Sequence, residues 1–194
     1  MAALINGKAW IRPFLFLILV SLIHLSLDGA TESLPVDLNG KVEYKGTIYS
    51  DFSPYPDLSN HIVTFLNTLS VPDQLSAEAE TSADKQTFKH QVGFYLYQKP
   101  ALTWQIDGVI IADITVKIVE GKLDYRIHNF RFIDYARNRL GKFTPKSTKK
   151  YPLELYYPDS KNKTWQIHFV EIDRIISELE QKMKADLVSL RKND

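Results

Sequence analysis

From Lys41 the chain alternates, with Val42, Tyr44 and Ile48 on one side and Lys41, Glu43, Lys45 and Thr47 on the other. Period-2 alternation predicts a strand with one buried face, and Asn39-Gly40 ahead of it predicts a turn. Ser53-Pro54-Tyr55-Pro56 breaks the strand. Asp57 then stands where an N-cap belongs, followed by Leu58, Ile62, Phe65, Leu66 and Leu69 at helical spacing until Pro72. Residues 73–87 are small and polar and predict an exposed connection with room for one extra helical turn. Alternation returns at Phe88, with His90, Val92, Phe94 and Leu96 on one face, and stops at Pro100. After Asp107-Gly108, the row Ile110, Ala112, Ile114, Val116 and Ile118 alternates against Ile111, Asp113, Thr115, Lys117 and Val119. Glu120-Gly121 predicts a tight turn, and Leu123, Tyr125 and Ile127 the return strand of a long hairpin. The apolar phase slips between Ile127 and Phe130, which predicts a β-bulge near His128-Asn129 and a bend in the sheet.

Beyond Arg131 the signal is mixed up to Lys150. Leu153, Leu155 and Tyr157 predict a short strand, and Trp165, Ile167 and Phe169 another. The chain closes on a helix with Ile172, Ile176, Leu179, Met183, Leu187 and Leu190 on one stripe. Glu178 and Lys182, four apart, are spaced to pair beside it. A stripe this apolar is expected to be filled by the sheet, which makes the helix structural and not a contact surface. Strands in succession with helices to one side predict an α+β two-layer sandwich, a curved antiparallel β-sheet backed by helices with a long C-terminal helix.

The first thirty residues change the picture of where this domain works. Lys8 and Arg12 precede an apolar run from Phe14 to Leu27, the order of a cleavable signal peptide. The run is short for a membrane span, which needs about 20 apolar residues. Ala30 is a suitable small residue at the cleavage site, although Asp28 is not. The expectation is a signal peptide over 1–30, a mature chain from about Thr31 forming one domain over 31–194, and a periplasmic or secreted location. Contact with a membrane would then require an uncleaved leader. The sequence has no cysteine, so it has no disulfide, no thiolate metal site and no lipid-bearing cysteine. Without Lys8, Arg12 and Asp28 the domain has 22 cations and 22 anions, a neutral balance that argues against nucleic acid as a partner.

The string LPVDLNGKVEYKG (Leu34 to Gly46) and the hairpin string IVEGKLDYRIHNF (Ile118 to Phe130) resemble a family of exported Gram-negative bacterial proteins. That family is catalogued as a domain of unknown function with a TATA-binding-protein-like (TBP-like) fold. The resemblance runs from Leu34 to Phe132, with the C-terminal helix as the family's closing element. Phe65 stands where a helix Trp is expected and Glu120 where Asp is commoner. The resemblance implies a curved sheet backed by helices in an envelope protein. It transfers no catalytic residue.

Motifs for chemistry are sparse. His61, His90, His128 and His168 are isolated, with no HExxH or His-x-His spacing, so packed or solvated histidines are the simpler reading and no metal or cofactor is expected. There is no GxSxG or SxxK string, and no phosphate-binding glycine loop. Asp113 and Asp124 lie on opposite arms of the hairpin and are candidates for a carboxylate pair, or more simply for cross-strand ion pairs with Lys117 and Arg126. Trp104, Trp165, Tyr95, Tyr97, Tyr156 and Tyr157 are candidates for an aromatic platform, with packing the plainer role.

Arg131, Arg137, Arg139, Lys142, Lys146, Lys149 and Lys150 share twenty residues with a single acid, Asp134. This segment suits anionic headgroups, a phosphorylated ligand or an acidic partner, against the simpler reading of a solvated loop. The outward row Ile111, Thr115 and Val119 is expected to leave apolar side chains exposed on the second face of the sheet. Together these suggest a non-enzymatic binding or accessory protein of the cell envelope that uses the sheet's outer face or the groove between sheet and helix, with an envelope protein, a peptide or an apolar or anionic ligand as partner. The contact residues would be Arg131, Arg137, Arg139, Lys142, Ile111, Thr115 and Val119. The alternative is a hydrolase built from His128, Asp113 and Asp124.

Overall fold

The computed structural model describes residues 34–49, 57–69, 79–83, 86–98, 104–120, 122–157 and 162–189, all within the unit Ser33–Asp194. The leader expected over 1–30, the turn residue Gly121, the breakers Pro72 and Pro100, and Leu190 lie outside the described residues. Seven strands are described: β1 (Tyr44–Ile48), β2 (Glu80–Thr81), β3 (Thr87–Gln98), β4 (Gln105–Val119), β5 (Lys122–Arg137), β6 (Phe143–Pro145) and β7 (Tyr151–Pro152). They form one curved antiparallel sheet in the order β1-β5-β4-β3-β2, with β6 and β7 also on β5. Helix α1 spans Leu58–Asn67 and α2 spans Lys163–Ser189. The α+β sandwich read from the alternation is the observed architecture.

The β4–β5 hairpin is its spine. Val119 pairs with Lys122, so the turn between them has two residues, and Glu120 takes φ +49° as such a turn asks. The bulge read from the phase slip is present. Register steps from Asp113↔His128 to Ile111↔Arg131, and Asn129 in the added position has φ +56°. A second bulge was not legible. Leu96 pairs with Gly108 but Tyr97 with Ile106, leaving Asp107 as the extra residue on β4. Each bulge adds twist where it sits.

The core lies on the helix side of the sheet. Phe88, Val92, Leu96, Ile110, Ile114, Leu123, Ile127 and Phe130 face Ile62, Phe65 and Leu66 of α1 and Phe169, Ile172, Ile176 and Met183 of α2. Two tyrosine hydroxyls tie the layers together: Tyr44 donates to Asp173 at 2.9 Å, and Tyr125 bonds to Glu180. Burial, reinforced by those carboxylates, pushes both phenols well above their ordinary pKa.

Several local expectations are corrected. Trp165, Ile167 and Phe169 are not a strand but the first turns of α2. Trp165, His168, Phe169, Ile172 and Ile176 are buried at helical spacing, and Ile167 is exposed. The apparent alternation arose from an apolar residue on the wrong side of a helix. Leu153–Leu155 form a 3-10 turn behind the two-residue β7. In the polar connection Glu80–Thr81 pair with β3 as a strand, and residues 73–78 and 84–85 lie outside the described residues. Asp57 makes no side-chain cap bond. Glu178 pairs with Arg174, and Lys182 instead stands 5.9 Å from the ring centre of Phe65.

Candidate functional site

On the second face of the sheet the expected row Ile111, Thr115, Val119 is present, but Ile111 does not reach solvent. It is fully buried with Val109, Ile133 and Tyr135, covered by Tyr95, Ile106 and Phe143. The hairpin arm carrying β6 brings Phe143 onto this cluster, a contact that strand alternation does not predict. Thr115 and Val119 are half-buried.

The rest of this face is polar. Asp113 accepts from Gln91 Nε2 at 3.1 Å, Asn129 Nδ2 at 2.5 Å and Arg131 at 2.5 Å. Its carboxylate is thus consumed in holding the bulge. Asp124 pairs in register with Lys117, four residues along from the Asp113↔His128 pair, and accepts from Thr47 Oγ1 at 2.6 Å. The two carboxylates are therefore about 13 Å apart along the strand at 3.3 Å per residue, and form no acid–base pair. Arg126 pairs with Glu43, not with Asp113. His128 lies 3.5 Å from Thr115 Oγ1, and burial followed by the Arg126 charge lowers its pKa. His90 sits in the core, where burial lowers its pKa against a long contact to Leu69 O at 3.4 Å. Among the described residues no three His, Asp or Glu side chains gather as a metal site.

The basic segment is not a single surface. Arg131 is held by Asp113, and Lys146 by Asp134 at 2.7 Å. Arg137, Arg139 and Lys142 are exposed around the β5–β6 turn.

A concave apolar site lies where the sheet meets the start of α2, in the groove between sheet and helix that the sequence offered beside the sheet's outer face. A groove of about 570 Å³ is lined by Tyr97, Trp104, Ile167, Val170 and Glu171. That volume falls in the range of about 300–1,000 Å³ common for small-ligand sites. Trp104 is 67% exposed and Ile167 63%, and Tyr97 and Val170 are close to half exposed. Tyr97 comes from the end of β3, Trp104 from the residue before β4, and the other three from the start of α2.

The unanticipated bulge sets this geometry. Asp107, the extra residue on β4, accepts from Gln98 Nε2 at 2.6 Å and lies 2.7 Å from Nε2 of His168. His168 is 1% exposed and neighbours Ile167, so one carboxylate joins β3, β4 and α2 beside the groove. Trp165 stacks on Tyr156 at 3.9 Å and meets Phe132 at 5.0 Å, which anchors the same turn of helix from within. The aromatic candidates therefore divide. Trp165, Tyr156 and Tyr157 serve packing, and Tyr95 meets Tyr135 edge-on at 6.1 Å. Trp104 and Tyr97 are exposed and line the groove. The signal that would have found it was Ile167, apolar on the outer side of a helix.

A curved antiparallel sheet with a long closing helix defines the class: an α+β protein of TBP-like fold. The chain is similar in structure to a DUF4468 family protein from Bacteroides ovatus, with a TM-score of 0.56 and 14% identity, over 80% of this chain and 91% of that one. It is also similar to a TBP-like protein from Parabacteroides distasonis, with a TM-score of 0.51 and 15% identity, over 82% of this chain and 97% of that one. The resemblance read from Leu34–Gly46 and Ile118–Phe130 holds at the level of fold. Neither neighbour's name states an activity. No protein-family model and no curated protein matches the chain.

Proposed function

We propose that this is an exported, non-enzymatic binding protein of the cell envelope, and that it holds an apolar ligand in the groove between the β3–β4 end of the sheet and the start of α2. One observation carries the reading: Trp104, Tyr97, Ile167 and Val170 leave apolar surface in a concavity of ligand size. Scattered exposed hydrophobics need no explanation, but a contiguous concave patch marks a binding site. Glu171, the one acid among the described lining residues, is bound to Arg174 at 2.7 Å, so the rim favours a neutral body over a cationic one. A flat ring or an acyl chain stacking on Trp104 fits these walls. Export rests on the Lys8–Arg12 and Phe14–Leu27 pattern.

The test is titration with a neutral naphthylamine probe whose emission rises in apolar sites. Saturable binding to wild type should weaken by at least about tenfold in Trp104→Ala and Ile167→Asp, the loss expected from removing one large apolar contact. Both variants should keep the wild-type melting temperature. Equal affinity in all three proteins would overturn the assignment of the groove.

A further inference from the structure

The β5–β6 hairpin presents a charged tip outside the groove. From Arg137 to Lys150 the sequence RNRLGKFTPKSTKK has six cations and no acid. Its turn satisfies itself. Asn138 N–H donates to Lys142 O at 2.8 Å and Gly141 N–H to Asn138 O at 2.9 Å. Asn138 Oδ1 accepts the N–H groups of Leu140 and Lys142 at 2.9 and 3.0 Å. Gly141 has φ +79°, the left-handed residue that closes such a turn, and Arg137 Nε donates to its carbonyl at 3.1 Å.

This fixed turn holds Leu140 84% exposed, between exposed Arg139 and Lys142. Lys146 is offset by Asp134, and Lys149 stands 4.7 Å from the ring centre of Tyr151. Among the described residues no acid pairs with Arg137, Arg139, Lys142 or Lys150. A leucine presented by a rigid turn and ringed by cations matches a surface that is negative outside and apolar just beneath.

We propose that the tip Arg137–Lys142 docks on an anionic phospholipid bilayer, its cations on headgroup phosphates and Leu140 at the acyl boundary. Each cation near such a surface strengthens partition by roughly fivefold, and the buried aliphatic side chain adds to it. A nucleic acid would use the cations but leave Leu140 without a role, and the turn offers no aromatic ring for base stacking. An acidic protein would have to add an apolar pocket matched to Leu140, which a bilayer offers at every point of its surface. The inference goes beyond the groove reading, does not depend on it, and departs from the expectation that membrane contact requires an uncleaved leader.

Co-sedimentation of the full chain with vesicles of phosphatidylcholine, and of phosphatidylcholine mixed with phosphatidylglycerol, tests it. The apolar run Phe14–Leu27 is common to every variant, so the readout is the excess of binding to anionic over neutral vesicles. Wild type should show an excess of at least about tenfold at low salt, collapsing as salt screens the charges. Arg139→Glu with Lys142→Glu should abolish the excess, and Leu140→Asp should lower anionic binding by about tenfold. Melting temperatures should hold. Arg139→Gln with Lys142→Gln is a milder pair that should also cut the excess, should the reversal disturb the turn. No excess in wild type, an excess surviving both charge pairs, an inert Leu140→Asp, or stronger binding to DNA or polyglutamate than to the vesicles would each overturn the proposal.

Discussion

Gly108 shows how a single missing atom shapes the site. A Cβ there would lie 2.2 Å from the Phe132 ring and 2.5 Å from Ile133 O. The ring is wedged against Tyr156 and Trp165, and the carbonyl is backbone, so neither yields cheaply. Gly108→Ala should cost about 1–3 kcal/mol as overpacking does, seen as a lower urea midpoint at an unchanged slope. His90 gives a pH effect. Burial holds its folded pKa below the ordinary 6.5, so the unfolded chain takes up a proton that the folded chain resists. That contribution to stability is complete above about pH 6.5 and is lost as pH falls toward the folded value, and His128 acts in the same direction. A series of melts from neutral to mildly acid pH should show this decline, and His90→Leu should flatten it.

At the scale of elements, alternation fixed most of the sheet because the helix-facing row of each long strand is almost wholly apolar. Phe88 to Leu96, Ile110 to Ile118 and Leu123 to Ile127 needed no tertiary information. The Asn129 bulge was legible because it shifts that row by one residue. The Asp107 bulge was not, since it falls where β4 begins and no row yet exists to be shifted. Helix α2 was read too short for a related reason: Trp165, Ile167 and Phe169 alternate by chance. Beyond the stripe that packs on the sheet, its outer flank supplies Ile167 and Val170 to the groove lining. Asp107→Ala should reveal how tightly the element contacts set the groove. The change strands His168, 1% exposed, without its acceptor, at a cost of about 1–3 kcal/mol. At about 2–4 °C per kcal/mol for a domain of this size, thermal melts should drop by several degrees. Probe affinity should fall alongside, although Asp107 lies outside the groove lining.

For the whole molecule, the fold was legible in detail and the groove only in outline, and the reason is physical. A fold is written in periodicity, repeated over many residues. A groove is written in the exceptions, exposed apolar residues at the end of β3, just before β4 and on the outer side of α2, which meet only after folding. Ile111 looked exceptional and proved ordinary, since the β6 arm covers it with Phe143. Trp104, a platform candidate for which packing was the plainer role, is the most exposed apolar side chain lining the groove.

The central claim is therefore best tested at that residue. The part of the tryptophan emission that Trp104→Phe removes should be quenched freely by iodide in the empty protein, as befits a side chain 67% exposed. Adding a neutral long-chain alcohol should shift that component to the blue and shield it from iodide, saturably, in wild type and far less in Ile167→Asp. A Trp104 component that stays exposed at saturating alcohol, or that responds identically in Ile167→Asp, would contradict the account.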